Sequence, residues 1–171
     1  MDDPLHPITD FGEIPELVNI RAFFDGTDAI VECIPAKTLE KPFVPDTTAE
    51  RKSETEKQID SVLSGAFPIV ESPNMLRLNF TFLRGFCAHE EFVEHPFFND
   101  RLLGKRPDFS PLCEVAPSPW REFLPGYDGG DNPDVKHYRM LSMEIYVDIL
   151  GVLEGGEWIK NEAAEIREVL Q

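Results

Sequence analysis

The sequence predicts an α+β fold: an antiparallel sheet of about four strands, two helices on one face of it, and a long Pro-rich arm. Three observations carry this. Apolar and polar residues alternate over four short stretches, the period of a half-buried strand. Two further stretches repeat apolar residues every three or four positions, the period of a helix. Between Pro96 and Pro133 neither period survives, and seven prolines (Pro96, Pro107, Pro111, Pro117, Pro119, Pro125 and Pro133) interrupt the chain.

The first two strands form a hairpin over residues 17–34. Asp25-Gly26 favours a two-residue turn, because glycine accepts the positive φ that such turns require. A turn there pairs Phe24 with Thr27, Ala22 with Ala29, Ile20 with Val31 and Val18 with Cys33 on an apolar face. The other face pairs Phe23 with Asp28, Arg21 with Ile30 and Asn19 with Glu32. A one-residue slip would exchange the faces, and Pro35 ends the second strand. Next, Thr47 with Glu50 predicts a capping box, opening a helix whose stripe is Ile59, Val62 and Leu63 before Gly65. A strand over 76–82 turns Leu76, Leu78, Phe80 and Phe82 to one side. Another over 141–149 turns Leu141, Met143, Ile145, Val147 and Ile149 to one side. A final helix carries Ile159, Ala163, Ile166 and Leu170 at helical spacing, beside Trp158 and Val169. Each large side chain it buries contributes about 1.5–3 kcal/mol.

Composition bounds the function. With 171 residues and 42% hydrophobic content, the chain reads as a single globular domain over 1–171, with an irregular arm at about 96–133. Its net charge of −16 argues against binding nucleic-acid phosphates or an anionic membrane, which both select basic residues. Apolar runs are too short to span a bilayer. Met1-Asp2-Asp3-Pro4 lacks the basic and apolar regions of a signal peptide, so the expected location is the cytoplasm. Cys33, Cys87 and Cys113 are odd in number and never form a CxxC pair, which suggests free thiols in a reducing compartment.

No catalytic or cofactor pattern stands out. The cluster from His89 to His95 meets neither HExxH nor HxxEH; His89, Glu91 and His95 would share a face only on a strand. Asp128, Asp131 and Asp134 sit in a loop without calcium-loop spacing, among residues that turns demand anyway. Cys87 and His89 are too close along a strand to act as nucleophile and base. The four histidines show no acid–base partner set. The expectation is a protein that is not an enzyme, with no metal and no cofactor. Aromatic residues in the arm, namely Phe97, Phe98, Phe109, Trp120, Phe123 and Tyr127, with Arg121 beside Trp120, are the candidate interface.

The C-terminal pattern of a strand over 140–150, Gly155-Gly156 and a helix over 158–170 resembles that of bacteriophage tail-terminator and neck proteins. The resemblance implies a virion subunit that assembles with itself and other assembly proteins into a ring passing DNA. An acidic wall would then repel phosphates and let DNA slide. The alternative is an acidic immunity protein, or a DNA mimic, that inhibits a basic nuclease or defence enzyme. Self-association distinguishes the two, since rings need self-complementary or head-to-tail surfaces.

Overall fold

The computed structural model describes residues 5–42, 44, 53–90, 110–118, 120–121 and 132–164. The chain divides into two compact units, Met1–Ala36 with Glu71–Gln171, and Lys37–Val70. Its elements are β1 (Leu5–Pro7), β2 (Leu17–Asp25), β3 (Asp28–Thr38), α1 (Glu54–Leu63), β4 (Ile69–Glu71), β5 (Asn74–Glu90), β6 (Leu112–Val115), β7 (Lys136–Leu141) and β8 (Ile145–Lys160). They form one eight-stranded sheet in the order β1-β6-β7-β8-β5-β3-β2, with β4 pairing with β3. Every pairing along that path is antiparallel.

This overturns the expected four-stranded α+β fold with two covering helices. The sheet covers its own apolar face. β5 and β8 pair along most of their length, but the ladder shifts register between Asn79 and Phe80 and again between Thr81 and Gly85. Such bulges bend a strand and sharpen its twist. Beyond the bend, the start of β2 meets the end of β7: Leu17 bridges Ser142, and the Met143 amide donates to the Leu17 carbonyl at 2.9 Å. Strands β7, β8, β5, β3 and β2 therefore curl around a common interior. Leu78 and Phe80 of β5, Val31 of β3, Met140 of β7 and Ile149 of β8 fill it. Phe80 and Tyr138 meet edge to face inside, 5.4 Å between ring centres.

The hairpin keeps its faces next to the turn but not its register. Phe24 pairs with Ala29, Ala22 with Val31 and Ile20 with Cys33, with Asp25 opposite Asp28 across the turn. From Asn19 to Phe24 the shift from the expected pairing is two residues and the faces of Ile20, Ala22 and Phe24 are kept, but a bulge between Leu17 and Asn19 puts Leu17, not Val18, in the interior. Over 141–149 the expected single strand is a hairpin. β7 ends at Leu141, the Ser142 hydroxyl accepts the Ile145 amide at 3.1 Å, and β8 begins. Met143 stands exposed at this turn. Leu112–Val115, inside the expected irregular arm, is a strand between β1 and β7.

The helices also move. Thr47 and Glu50 lie outside the described residues. The capping box is instead Ser53 and Glu56: the Ser53 amide donates to Glu56 Oε2 at 2.6 Å, and the Glu56 amide to Ser53 Oγ at 3.3 Å. Ile59 and Val62 of α1 are exposed. At the C-terminus, β8 runs unbroken through Gly155 and Gly156 to Lys160, where a linker and helix were expected. The described helical residues there begin at Glu162.

Close approach explains Gly156. A Cβ there would lie 2.7 Å from Leu78 Cδ2 and 3.0 Å from both the Arg77 carbonyl and Phe11 Cε1. Phe11 belongs to the segment joining β1 and β2, which packs Ile8, Phe11 and Ile14 against the interior. Trp158 Nε1 fastens it by donating to the Phe11 carbonyl at 3.0 Å. Phe82 is the opposite case. It sits in the β5 bend at φ 49°, a left-handed conformation that costs a bulky residue about 1–3 kcal/mol, yet its ring is exposed. Gly156→Ala should lower unfolding free energy by about 1–3 kcal/mol in urea titration. Phe82→Gly should raise it by about 0.5–1 kcal/mol, because relief of strain outweighs glycine's entropy.

Candidate functional site

The densest polar chemistry lies on the face of β5, β8 and β7 that points away from the curled interior. Alternation puts Tyr138, Met140, Val147 and Ile149 inside. It sends His137, Arg139 and Asp148 the other way, with Cys87 opposite Asp148 and His89 opposite Tyr146 on the same side. That outward face is covered nonetheless: Asp148 has no exposed surface, and His137 and Arg139 are only 1% and 2% exposed. Part of the cover is the segment after β6. Trp120 stacks on His137 with ring centres 5.3 Å apart, and its ring lies where a Cβ on Gly85 would meet it at 3.3 Å.

Asp148 is the hub. His137 Nε2 lies 2.8 Å from its Oδ1, Arg139 Nε donates to the same oxygen at 2.9 Å, and Arg139 also donates to Oδ2 at 3.3 Å. His89 Nε2 stands 3.4 Å from Oδ2. Burial alone would push the Asp148 carboxyl up. Hydrogen bonds from His137 and His89 and the Arg139 charge outweigh it and hold the group well below the usual carboxylate range. The same contact raises His89 against the opposing effect of its burial. Burial, reinforced by the Asp148 charge, pushes the Cys87 thiol up.

Ser118 completes a chain of bonds. Its hydroxyl lies 3.0 Å from His137 Nδ1 and accepts the Arg121 amide at 3.2 Å. In the tautomer that donates Nε2–H to Asp148, Nδ1 accepts from the serine hydroxyl, and Ser118, His137 and Asp148 connect in the order of a nucleophile, base and acid. Three features direct the arrangement to holding rather than attack. Ser118 is buried, its oxygen already caps a turn, and Arg139 shares the carboxylate that would have to stabilise an imidazolium. The network fixes the segment carrying Trp120 onto the sheet.

The sequence reading missed this assembly: His89 and His137, which showed no partner set, share Asp148. One signal was present. Val147-Asp148-Ile149-Leu150 places a single acid in an otherwise apolar run, the pattern of a strand buried on both faces. Of the expected interface, Phe97, Phe98, Phe109, Phe123 and Tyr127 lie outside the described residues. Trp120 is packed as above, and Arg121 is exposed and donates to the Asn132 carbonyl at 3.2 Å. His95, Glu91, Asp128 and Asp131 also lie outside; the Asp134 amide donates to Asn132 Oδ1 at 3.0 Å, as a turn requires. Among the described residues no group of three or more His, Cys, Asp and Glu side chains is arranged to hold a metal. Cys33, Cys87 and Cys113 form no disulfide, and burial pushes Cys33 up to about 12. No family model, curated protein or solved structure matches the chain, so its chemistry is read from these residues alone.

Asp148→Asn should lower unfolding free energy by about 3–5 kcal/mol, because Arg139 would be left buried without a counter-charge. The pH dependence follows from the two shifted groups. The depressed Asp148 contributes fully above the ordinary carboxylate pKa of about 3.9, and its share is lost as pH falls through the folded value. The raised His89 contributes fully below about 6.5, and its share is lost as pH rises through the folded value. Thermal unfolding should therefore move to lower temperature as pH rises above about 6.5, and His89→Gln should flatten that slope.

Proposed function

We propose that this chain is a non-enzymatic acidic binding protein whose partner presents a basic surface; an inhibitor of a basic nuclease or defence enzyme is the form that its chemistry supports best. One observation supports this reading: acids outnumber bases two to one, and among the described residues four of the cations are held in ion pairs while many acids stand exposed. Arg21 pairs with Glu71 at 3.0 Å, Arg77 with Glu32 at 2.8 Å, Lys136 with Glu114 at 2.9 Å and Arg139 with Asp148 at 2.9 Å. Asp10, Glu13, Asp25, Asp28, Glu144 and Glu157 meanwhile stand exposed. With a net charge of −16, such a surface speeds encounter with a basic partner and disfavours acidic ones.

The competing reading, a self-assembling phage ring subunit, drew on a C-terminal strand, linker and helix. With β8 continuous through that region, charge is the stronger guide. Self-association also sets like charges against each other, a cost that a basic partner does not incur.

Affinity capture from the chain's own cells, followed by reconstitution from purified components, should return a partner of high isoelectric point. Its affinity should fall at least roughly tenfold between about 50 and about 300 mM salt. Light scattering should show a monomer across concentration. A salt-insensitive acidic partner, or discrete rings of the chain alone, would overturn the reading.

A further inference from the structure

Independently of what the chain binds, we propose that His89 is a proton-operated clamp on the end of β5. Charged, it binds that end to Asp148 on β8; neutral, it lets residues 87–90 open and uncovers the Cys87 thiol. The geometry of its two ring nitrogens carries this. Nδ1 lies 3.3 Å from the Glu90 carbonyl, and Nε2 lies 3.4 Å from Asp148 Oδ2. Both neighbours are acceptors. A neutral imidazole has a single N–H and must set its other nitrogen, lone pair first, against an oxygen, whereas an imidazolium meets both. The side chain is only 6% exposed, so solvent does little to relieve the mismatch. His137 differs: its Nδ1 faces the Ser118 hydroxyl, which can donate or accept, so no second N–H is required there.

The surrounding groups make β5 the movable member. Among the described residues, Asp148 and Tyr146 face His89 from β8, the Tyr146 ring edge to face at 5.6 Å between centres. Arg139 faces it from β7, beside His137 on the other carboxylate oxygen, and Cys87 shares its side of β5. The exposed Glu90 side chain lies on the opposite side by alternation. Arg139 and His137 hold Asp148 whatever the state of His89, so the link between β7 and β8 persists. Only the link from β5 needs the extra proton. His89 pairs with Tyr146 one residue from the end of β5, so its release frays a strand end and leaves the sheet standing. The Asp148 hydrogen bond raises His89, which closes the clamp below about pH 6.5 and opens it as pH rises through the folded value.

The test is amide hydrogen exchange, read by NMR on the full chain and on His89→Gln across that pH range, with each rate divided by its unstructured rate. Wild-type protection at residues 87–90 should fall roughly three- to tenfold in step with the His89 ring-proton titration, while β7 and the β2–β3 hairpin keep theirs. His89→Gln should be poorly protected at 87–90 at every pH. At low pH its Cys87 should be alkylated several-fold faster than that of the wild type, as located by mass spectrometry. Wild-type protection that falls equally in all strands would reveal a global loss of stability and overturn the clamp. Protection at 87–90 that ignores pH would overturn it too. Both of these comparisons stand within the wild type, even if the variant fails to fold.

Discussion

Two strands of seventeen and sixteen residues cannot pair flat and still hide an apolar face without a second layer. The break in the β5–β8 ladder resolves this constraint. Residues 82–84 of β5 stand against Gly151 of β8, between the pairs Thr81–Val152 and Gly85–Leu150. Gly151 suits the site, since a Cβ there would approach the Thr81 carbonyl to 3.2 Å. The bend lets one half of the sheet face the other, and the interior from Leu17 to Ile149 is the result. It also creates the turn-and-bend surface where aromatic rings stay in solvent.

Curling leaves the outer face of β7 and β8 to be dealt with separately. There the solution is electrostatic as much as apolar. Cys113, Val115 and Leu5 make a small apolar cluster at one side. Around Asp148 the contacts are charged. A buried ion pair adds little net stability over well-packed apolar residues, but it admits few alternative arrangements. Arg139 and His137 reach Asp148 only from the neighbouring strand, and Ser118 and Trp120 reach His137 only if their segment lies on the sheet. A second polar knot, in which Glu71 accepts from Asn19, Arg21 and Asn161, ties the start of β2 and the end of β8 to the same short segment.

Much of the strand content was legible in the sequence, because one buried face writes a period of two. Leu76, Leu78 and Phe80 turn inward as their alternation requires, and Ile20, Ala22 and Phe24 keep the face the pattern gives, whereas the bulge at Leu17 displaces Val18 from it. Three things were not legible. A strand with both faces buried loses its alternation, which hid the four residues of β6. A bulge breaks the count, so Phe82 counted as inward although it stands outside. And apolar residues at helical spacing can straddle two elements: Trp158 and Ile159 belong to β8. The polar cluster needs three strands and a loop brought together, and pairing among distant segments leaves no local trace. Charge was the most direct clue, since it depends on composition alone.

The pairings also dictate an order of events during synthesis. β1 has no partner until β6 has been made, and β5 waits for β8. The Phe11 carbonyl meets the Trp158 indole 147 positions later. Before β6 is made, the described strands can close the β2–β3 hairpin and the ladders of β3 with β4 and with the first half of β5. Topologies this rich in distant contacts fold slowly and expose unpaired strands meanwhile. The nascent chain's own negative charge is then a safeguard, keeping neighbouring unfinished copies apart until the last strand arrives.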